Sequence, residues 1–594
     1  MRFPVYGLRG RGRTGIQAIR RIRGVESREA VGTCSAAAGP DARVSEPAYY
    51  ARLARIREAF PAPVSDRMHD AYFVFSILRA LDLVDDMKSE VPLLGQPQAL
   101  DYAAAEQAAL PEEGRTAEDV ARLLVGALEG MPIWGHPRTQ INVVPPSSIP
   151  SIIGSLLPAI YNPNLVSDDT SYGVALKEAA VSAMTARLVG YDPARSAGVF
   201  TFGGTGTTLY GAKLGIEKAF PDAMDTGLRG GGVILASAQS HYCRLNVAGW
   251  LGLGEQNVVQ VPTHLQNDIR IDRLEAAARA AIEEGRRIVG LVATMGTTDA
   301  FGIDDLDAVV DLRDRLVEEH GLDYRPHVHA DAVIGWAWSV FNGYDFEENP
   351  LGFRPRTVRA LAAARRRIAS LHRADSIGID FHKTGFAPYV SSLFLVRERA
   401  DLGLLVRGRD EMPYLFQSGE RHPGVYTLET SRSGGGVLAA YGSLLLLGRV
   451  GLQVVLGHLV EKAESLREHL EGHEPTVVLN DDGVGTVTVF RVYPDGVDTW
   501  RIKERERTDP AAREELLRHN DYNRRLFRYL YDRAMAGKGV HVSMTDCYRE
   551  TDYGEPMVGL KGFILSPFID ERNVRHLVDD VLAARRAIRD GGDS

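Results

Sequence analysis

Between Gly198 and Val396, short apolar, β-branched runs alternate with amphipathic helical runs, and no other feature narrows the possible architectures as much. The strand-like runs cover residues 199–202, 233–236, 258–261, 288–293, 328–331, 377–380 and 393–396. Helical runs such as 273–284 and 305–319 separate most of them. Strands that are apolar throughout are buried on both faces, so the pattern predicts a mainly parallel sheet covered by helices. Ligands of such a sheet bind beyond the carboxyl ends of its strands.

Three stretches in this region carry chemistry. Asp375-Ser-Ile-Gly-Ile-Asp-Phe-His-Lys383 runs from a β-branched segment into turn residues and so delivers a lysine to the mouth of the sheet. A lysine there loses hydration, which disfavours its ammonium form and leaves an amine able to form a Schiff base with a carbonyl compound. His327-Val-His-Ala-Asp331 ends a strand in a carboxylate, which is costly to bury unless it meets a cation such as a protonated pyridine nitrogen. Phe202-Gly203-Gly204-Thr205-Gly206-Thr207-Thr208 follows a strand and opens a helix. Glycines there let backbone N–H groups approach a phosphate, and the helix dipole favours the anion. A strand-end lysine alone is ordinarily a surface group; cradle, acid and lysine in that order are a strong combination.

On these residues the chain resembles the group II pyridoxal-phosphate-dependent amino acid decarboxylases, which include glutamate, diaminobutyrate, tyrosine and aromatic amino acid enzymes. Residues 375–388 carry that family's lysine motif in its Asp-Phe-His-Lys form, and the likeness extends from about Trp134 to the C-terminus. It implies pyridoxal 5'-phosphate as cofactor, an α/β fold of the fold-type-I (aspartate-aminotransferase-like) class, and a homodimer with its site near the subunit interface. The expected organisation is an Arg-rich, disordered arm over residues 1–45, a helical segment over 46–135, a cofactor-binding large domain over 136–435 and a smaller α+β domain over 436–594.

The resemblance also implies roles. Lys383 would form the internal aldimine, Asp331 would pair with the pyridinium, and Gly204 and Thr205 would hold the phosphate, helped by His382. His241, in Ser-Ala-Gln-Ser-His241, would stack on the cofactor ring, with a capping or core histidine as the alternative. Thr298, in Gly296-Thr-Thr298, would face the cofactor. Ala332, after Asp331, would contact the cofactor; the family often has Ala-Ala there with an alanine beneath the ring, and Val333 as the second residue implies either a bulkier group at that place or a different packing. Tyr414 is the candidate for protonating the substrate Cα, and Tyr426 is its fallback. Arg432 is expected to bind the substrate carboxylate or pack the domains. His136, beside Pro137, lies near the substrate mouth by resemblance and is equally readable as an ordinary loop histidine. Lys383 follows Asp331 by 52 residues, and the extra length includes a basic helical run, residues 356–368, read as a solvated covering helix or a lid.

Composition excludes other classes. The net charge of −9 shows no basic surplus for nucleic acid, and no apolar stretch reads as long enough to span a bilayer. Three cysteines, Cys34, Cys243 and Cys547, argue against a disulfide framework or a cysteine zinc site and fit a reducing cytoplasm; no metal is expected. The expected activity is decarboxylation of an L-amino acid to its amine and CO2. The alternatives are oxidative decarboxylation–deamination to an aldehyde, or Cα–Cβ cleavage, on the same cofactor. A non-catalytic regulator is disfavoured because Lys383, Asp331 and His241 are all present. The substrate side chain is not readable: the Asp-Phe-His-Lys form points to diaminobutyrate-type enzymes, whereas Tyr161-Asn-Pro-Asn and the chain length point to bacterial tyrosine decarboxylases.

Overall fold

The computed structural model describes residues 48–408, 411–413 and 418–590. The Arg-rich arm and Tyr414 lie outside them. The described residues divide into two compact units, the first ending at His69 and the second starting at Asp70. In the first, the helix Ala48–Arg57 is followed by a turn in which Phe60 O lies 2.6 Å from His69 Nε2.

The second unit holds two sheets. Its strands, in chain order, are β1 (Thr139–Gln140), β2 (Ala197–Thr201), β3 (Gly232–Ser237), β4 (Val258–Val261), β5 (Arg287–Thr294), β6 (His327–Asp331), β7 (Ser376–Asp380), β8 (Ser392–Val396), β9 (Thr476–Val478), β10 (Val487–Val492), β11 (His541–Glu550) and β12 (Pro556–Phe563). The larger sheet has the order β2-β8-β7-β6-β5-β3-β4. Its strands are parallel except β8, which runs antiparallel to both β2 and β7. Every apolar run read as a strand in this region is one. The five inner strands are almost wholly buried, as helices on both faces require. The smaller sheet, β1-β11-β12-β10-β9, is antiparallel apart from the β1–β11 edge.

The helix Gly204–Ala219 carries the phosphate-type glycines and lies directly on the large sheet. Gly211 and Gly215, four apart, face the strands: a Cβ on Gly211 would sit 2.7 Å from His329 Nδ1, and one on Gly215 only 1.8 Å from Val289 O. The close approach holds the helix N-terminus over the ends of β6 and β7. Gly215→Ala is expected to lift the helix off the sheet and cost about 3 kcal/mol or more, because the clash is with backbone that cannot move aside; denaturant unfolding measures it.

The basic run forms the helix Pro355–Ile368, with Thr357, Ala360, Leu361, Ala364 and Ile368 buried and Arg359 and Arg366 exposed. It therefore covers the core. Contrary to the sequence reading, one helix among the described residues, Gly435–Glu471, is long and apolar enough to cross a membrane. It packs on the helix Ile149–Tyr161 and into the core shared by both sheets, and it kinks at Gly448, where φ is 57°.

Candidate active site

Gly203, His241, Thr298, Asp331 and Lys383 all stand at or just past the carboxyl ends of strands of the large sheet, β2, β3, β5, β6 and β7 respectively. Asp331 pairs in register with Thr294 on β5 and Gly378 on β7, so the acid sits between the turn that carries Thr298 and the strand that delivers the lysine.

Lys383 lies in the one-turn helix Phe381–Thr384, with its side chain 17% exposed and its Nζ 2.9 Å from Asp380 Oδ2. This corrects the expectation of a suppressed ammonium. Burial pulls the lysine down, but Asp380 and then Asp331 more than offset it, and Lys383 is held above the ordinary lysine range. Asp331 is buried, and its Oδ1 has no hydrogen-bond partner. Burial pushes its carboxyl up to about 6; Lys383 opposes that and Asp380 reinforces it. A buried carboxylate oxygen without a donor is costly, and a protonated ring nitrogen would satisfy it.

His241 stands just before the helix Cys243–Trp250, and its Nδ1 accepts the backbone N–H of Cys243 at 3.2 Å. Burial, Lys383 and Arg244 push it down to about 4 against the pull of Asp380 and Asp299. The imidazole is therefore neutral at physiological pH, with its proton on Nε2. The loop is tied down by Ser240 Oγ, 2.6 Å from Thr294 Oγ1 at the end of β5. In the Gly296–Phe301 turn, Thr297 Oγ1 accepts the Gly302 N–H at 2.9 Å, while Thr298 is half-buried and is not used by the turn.

Gly203 caps the cradle helix at φ 117°, a backbone conformation that favours glycine, and Thr205 is exposed at the helix start. Ala332 is fully buried, its N–H donating to Gly378 O at 3.1 Å. The bulkier Val333 points at the cradle, 3.1 Å from where a Gly204 Cβ would stand. His382 is buried, with Nε2 3.5 Å from Asp380 Oδ2.

Two sequence candidates fall elsewhere. Arg432 is buried against Glu178 and donates to Phe200 O at 3.0 Å and Leu165 O at 2.9 Å. It packs the segment before the helix Gly435–Glu471 and is not free to bind a substrate carboxylate. Arg432→Met is expected to cost about 3–5 kcal/mol by stranding the Glu178 charge, while the folded fraction keeps its substrate KM; unfolding together with saturation kinetics checks both. Tyr426 packs near Val199, Tyr210 and Leu214, with Glu178 and Arg432 as its foremost charged neighbours rather than Lys383. His136 is half-buried beside Arg138 and Glu90, and Val143 of the same segment lies with its carbonyl oxygen 3.5 Å from Tyr389 Oη.

The structure adds residues that the sequence reading did not assign. Asp380 is one, and its spacing of three before a lysine on a helical turn was the available signal. Tyr389 is another: its ring lies 4.0 Å from that of His382, and it feels the charges of Lys383 and Asp380. Asp299, next to Thr298, pairs with Lys561 on β12 at 2.5 Å and accepts Thr545 Oγ1 on β11 at 3.0 Å, joining the small sheet to the site turn.

Residues 97–493 match the family model described as the pyridoxal-dependent decarboxylase conserved domain. An L-2,4-diaminobutyrate decarboxylase of Rhizobium meliloti (strain 1021) is 30% identical over 339 residues, 56% of this chain and 61% of that protein. An L-tyrosine decarboxylase of Enterococcus faecium is 28% identical over 344 residues, 54% of this chain and 53% of that protein. These matches thus span less than two thirds of either relative. The Oryza sativa protein TDC, solved with PLP and tryptamine, superposes with a TM-score of 0.71 at 17% identity, covering 88% of this chain and 100% of that one. At that identity the likeness concerns the fold.

Proposed function

This chain belongs to the pyridoxal-dependent decarboxylase family, and we propose that it removes the α-carboxylate of an L-amino acid as CO2 and releases the amine, with pyridoxal phosphate attached at Lys383. The observation that supports this most is the buried, unpartnered Oδ1 of Asp331 in the same charge cluster as the Lys383 amine. When bound, the cofactor supplies an electron sink for the pair left as the Cα–carboxylate bond breaks. Asp331 Oδ1 keeps a proton on the ring nitrogen. Gly203, Gly204 and Thr205 offer backbone N–H groups to the phosphate at the helix start. His241, neutral and with its hydrogen on Nε2, orients the ring without adding a second positive charge. Ala332 and Val333, both buried, would line the cofactor's space and exclude water from it. Protonation at Cα falls to Tyr414 in this reading.

A second copy of the chain is part of the proposal. Ile149, Ile152, Ile153, Leu156 and Leu157 are exposed on one helix, and Leu445, Leu446, Val450 and Val454 on the helix packed against it. A continuous apolar face of that kind marks an interface, and sedentimation or light scattering would report its stoichiometry. The free thiols of Cys243 and Cys547 support a reducing, cytoplasmic setting.

The decisive experiment is a CO2-release screen of the cofactor-loaded protein over the common amino acids, with L-2,4-diaminobutyrate and L-tyrosine included. One amino acid giving equimolar CO2 and amine is the expected result. CO2 with ammonia and peroxide would replace it by aldehyde formation, and bound cofactor without CO2 from any substrate would overturn it.

A further inference from the structure

His327, His329 and Asp331 alternate along β6 and so share one face, beneath the helix Gly204–Ala219. The last turn of that helix carries Lys218, ion-paired with Asp401 at 2.6 Å and 3.2 Å from His327 Nδ1. Ser376 Oγ, on β7, lies 2.8 Å from both His327 Nε2 and His329 Nδ1. At the far end, His329 Nε2 is buried without a hydrogen-bond partner, as is Asp331 Oδ1.

What each group can donate fixes the direction of this line. An ammonium has hydrogens only, so His327 Nδ1 accepts from Lys218. Burial and the Lys218 charge keep His327 neutral against the pull of Asp375, so its one hydrogen is on Nε2 and goes to Ser376 Oγ. Ser376 then has one hydrogen to give. Giving it to His329 Nδ1 leaves a single group unpaired, the His329 Nε2–H. The reverse arrangement would strand both the serine hydrogen and His329 Nε2. Burial keeps His329 neutral as well, pushed down to about 3. In a dry interior each hydrogen bond polarises the next, so the Lys218 charge is felt at the far N–H. That N–H ends beside Gly378, the register partner of Asp331. A Cβ on Gly378 would stand 3.5 Å from His329 Nε2 and against Thr207 Oγ1, which already donates its hydrogen to Gly204 O at 2.8 Å. With glycine there, no side chain from that position separates the imidazole from the carboxylate.

We propose that Lys218, His327, Ser376 and His329 form a one-way hydrogen-bond chain that turns an N–H towards the Asp331 carboxylate and steadies it for its pairing with the ring nitrogen. His329 is thus a positioning residue, and Ser376 sets its tautomer. This rests on Asp331 as the ring-nitrogen partner. An N–H directed at a carboxylate favours its ionised form. The other charged and titratable groups facing Asp331 are Lys383, Asp380 and Cys243, and those facing the chain are Asp401, Asp375 and Arg313.

The test is the stability of the cofactor-free full chain from about pH 4 to about pH 8, compared with that of Asp331→Asn in the same background. Folding raises the Asp331 carboxyl, so the wild type loses stability relative to the amide as the pH climbs. The loss levels off where the folded carboxyl is fully ionised. Ser376→Ala, which removes one oxygen, is expected to move that levelling-off up by about one pH unit. His329→Gln, whose amide carries its own N–H, is expected to restore the wild-type position in the Ser376→Ala background. A levelling-off that Ser376→Ala leaves in place would overturn the proposal, since the N–H would then serve Thr207 alone. Failure of His329→Gln to restore it would do the same. If Ser376→Ala does not fold, Lys218→Met, which releases His327 to either tautomer, is expected to give a smaller shift in the same direction, and no shift would overturn the proposal. The expected shift in a protein that releases no CO2 from any amino acid would sink the proposed activity and leave the chain standing. An unmoved levelling-off in an active enzyme would do the reverse.

Discussion

Lys383→Ala is expected to abolish both the near-visible absorbance of the bound cofactor and amine formation, with a loss of kcat of at least about 10³-fold, because the proposed covalent anchor is gone. The same substitution carries a stability cost. Asp380 Oδ2 and Asp331 both count Lys383 as their cation, and Asp380 is fully buried. Removing one partner of a buried pair costs about 3–5 kcal/mol. Lys383→Arg separates the two effects: it keeps a positive charge beside Asp380 but offers no amine that can capture a carbonyl carbon. The expected outcome is a near-native unfolding transition for Lys383→Arg, a lowered one for Lys383→Ala, and no amine from either. Amine production by Lys383→Ala at more than a few per cent of wild type would remove Lys383 from the chemistry.

Asp331→Asn is expected to have opposite effects on activity and stability. The amide cannot hold a proton on a ring nitrogen, so the electron sink weakens and kcat falls at least about 100-fold, as when one preorganised electrostatic partner is deleted. The fold without cofactor should gain. The Asp331 carboxyl is raised from 3.8 to about 6 by burial. Sign matters: a carboxyl raised by folding contributes stability that is present below about pH 4 and lost as the pH climbs through about 6. At pH 7 the ionised group therefore opposes folding by about 2–3 kcal/mol, which the neutral amide relieves. The cofactor-free variant should unfold later than wild type at pH 7 and show little difference near pH 4. A variant less stable at pH 7, or one with unchanged turnover, would contradict this account of the aspartate.

Much of the large sheet was legible because its strands are continuous apolar runs; 233–236 and 377–380 sit inside segments buried along their whole length. β11 was not. Its ten residues, His541–Glu550, mix buried and exposed positions with Asp546, Arg549 and Glu550 among them, and leave no apolar run to read. The helix Gly435–Glu471 kinks at Gly448, where φ is 57°, and continues past a glycine that ordinarily ends a helix. Within the site, the glycines, Asp331, His241 and Lys383 stood in local patterns with a chemical meaning of their own. Arg432 did not disclose its purpose, since its partner Glu178 is 254 residues away and only folding brings them together.

The amino-acid sequence by itself determined which elements form and which reactive groups stand at strand ends, because periodicity and turn chemistry act over a few residues. The tertiary structure decided the charge states. Whether Lys383 is an amine or an ammonium depends on a contest between lost hydration and the fields of Asp380 and Asp331. Hydration and field strength are set by how deeply three strands and a helix bury those groups together, a distance and a dielectric that no local pattern encodes.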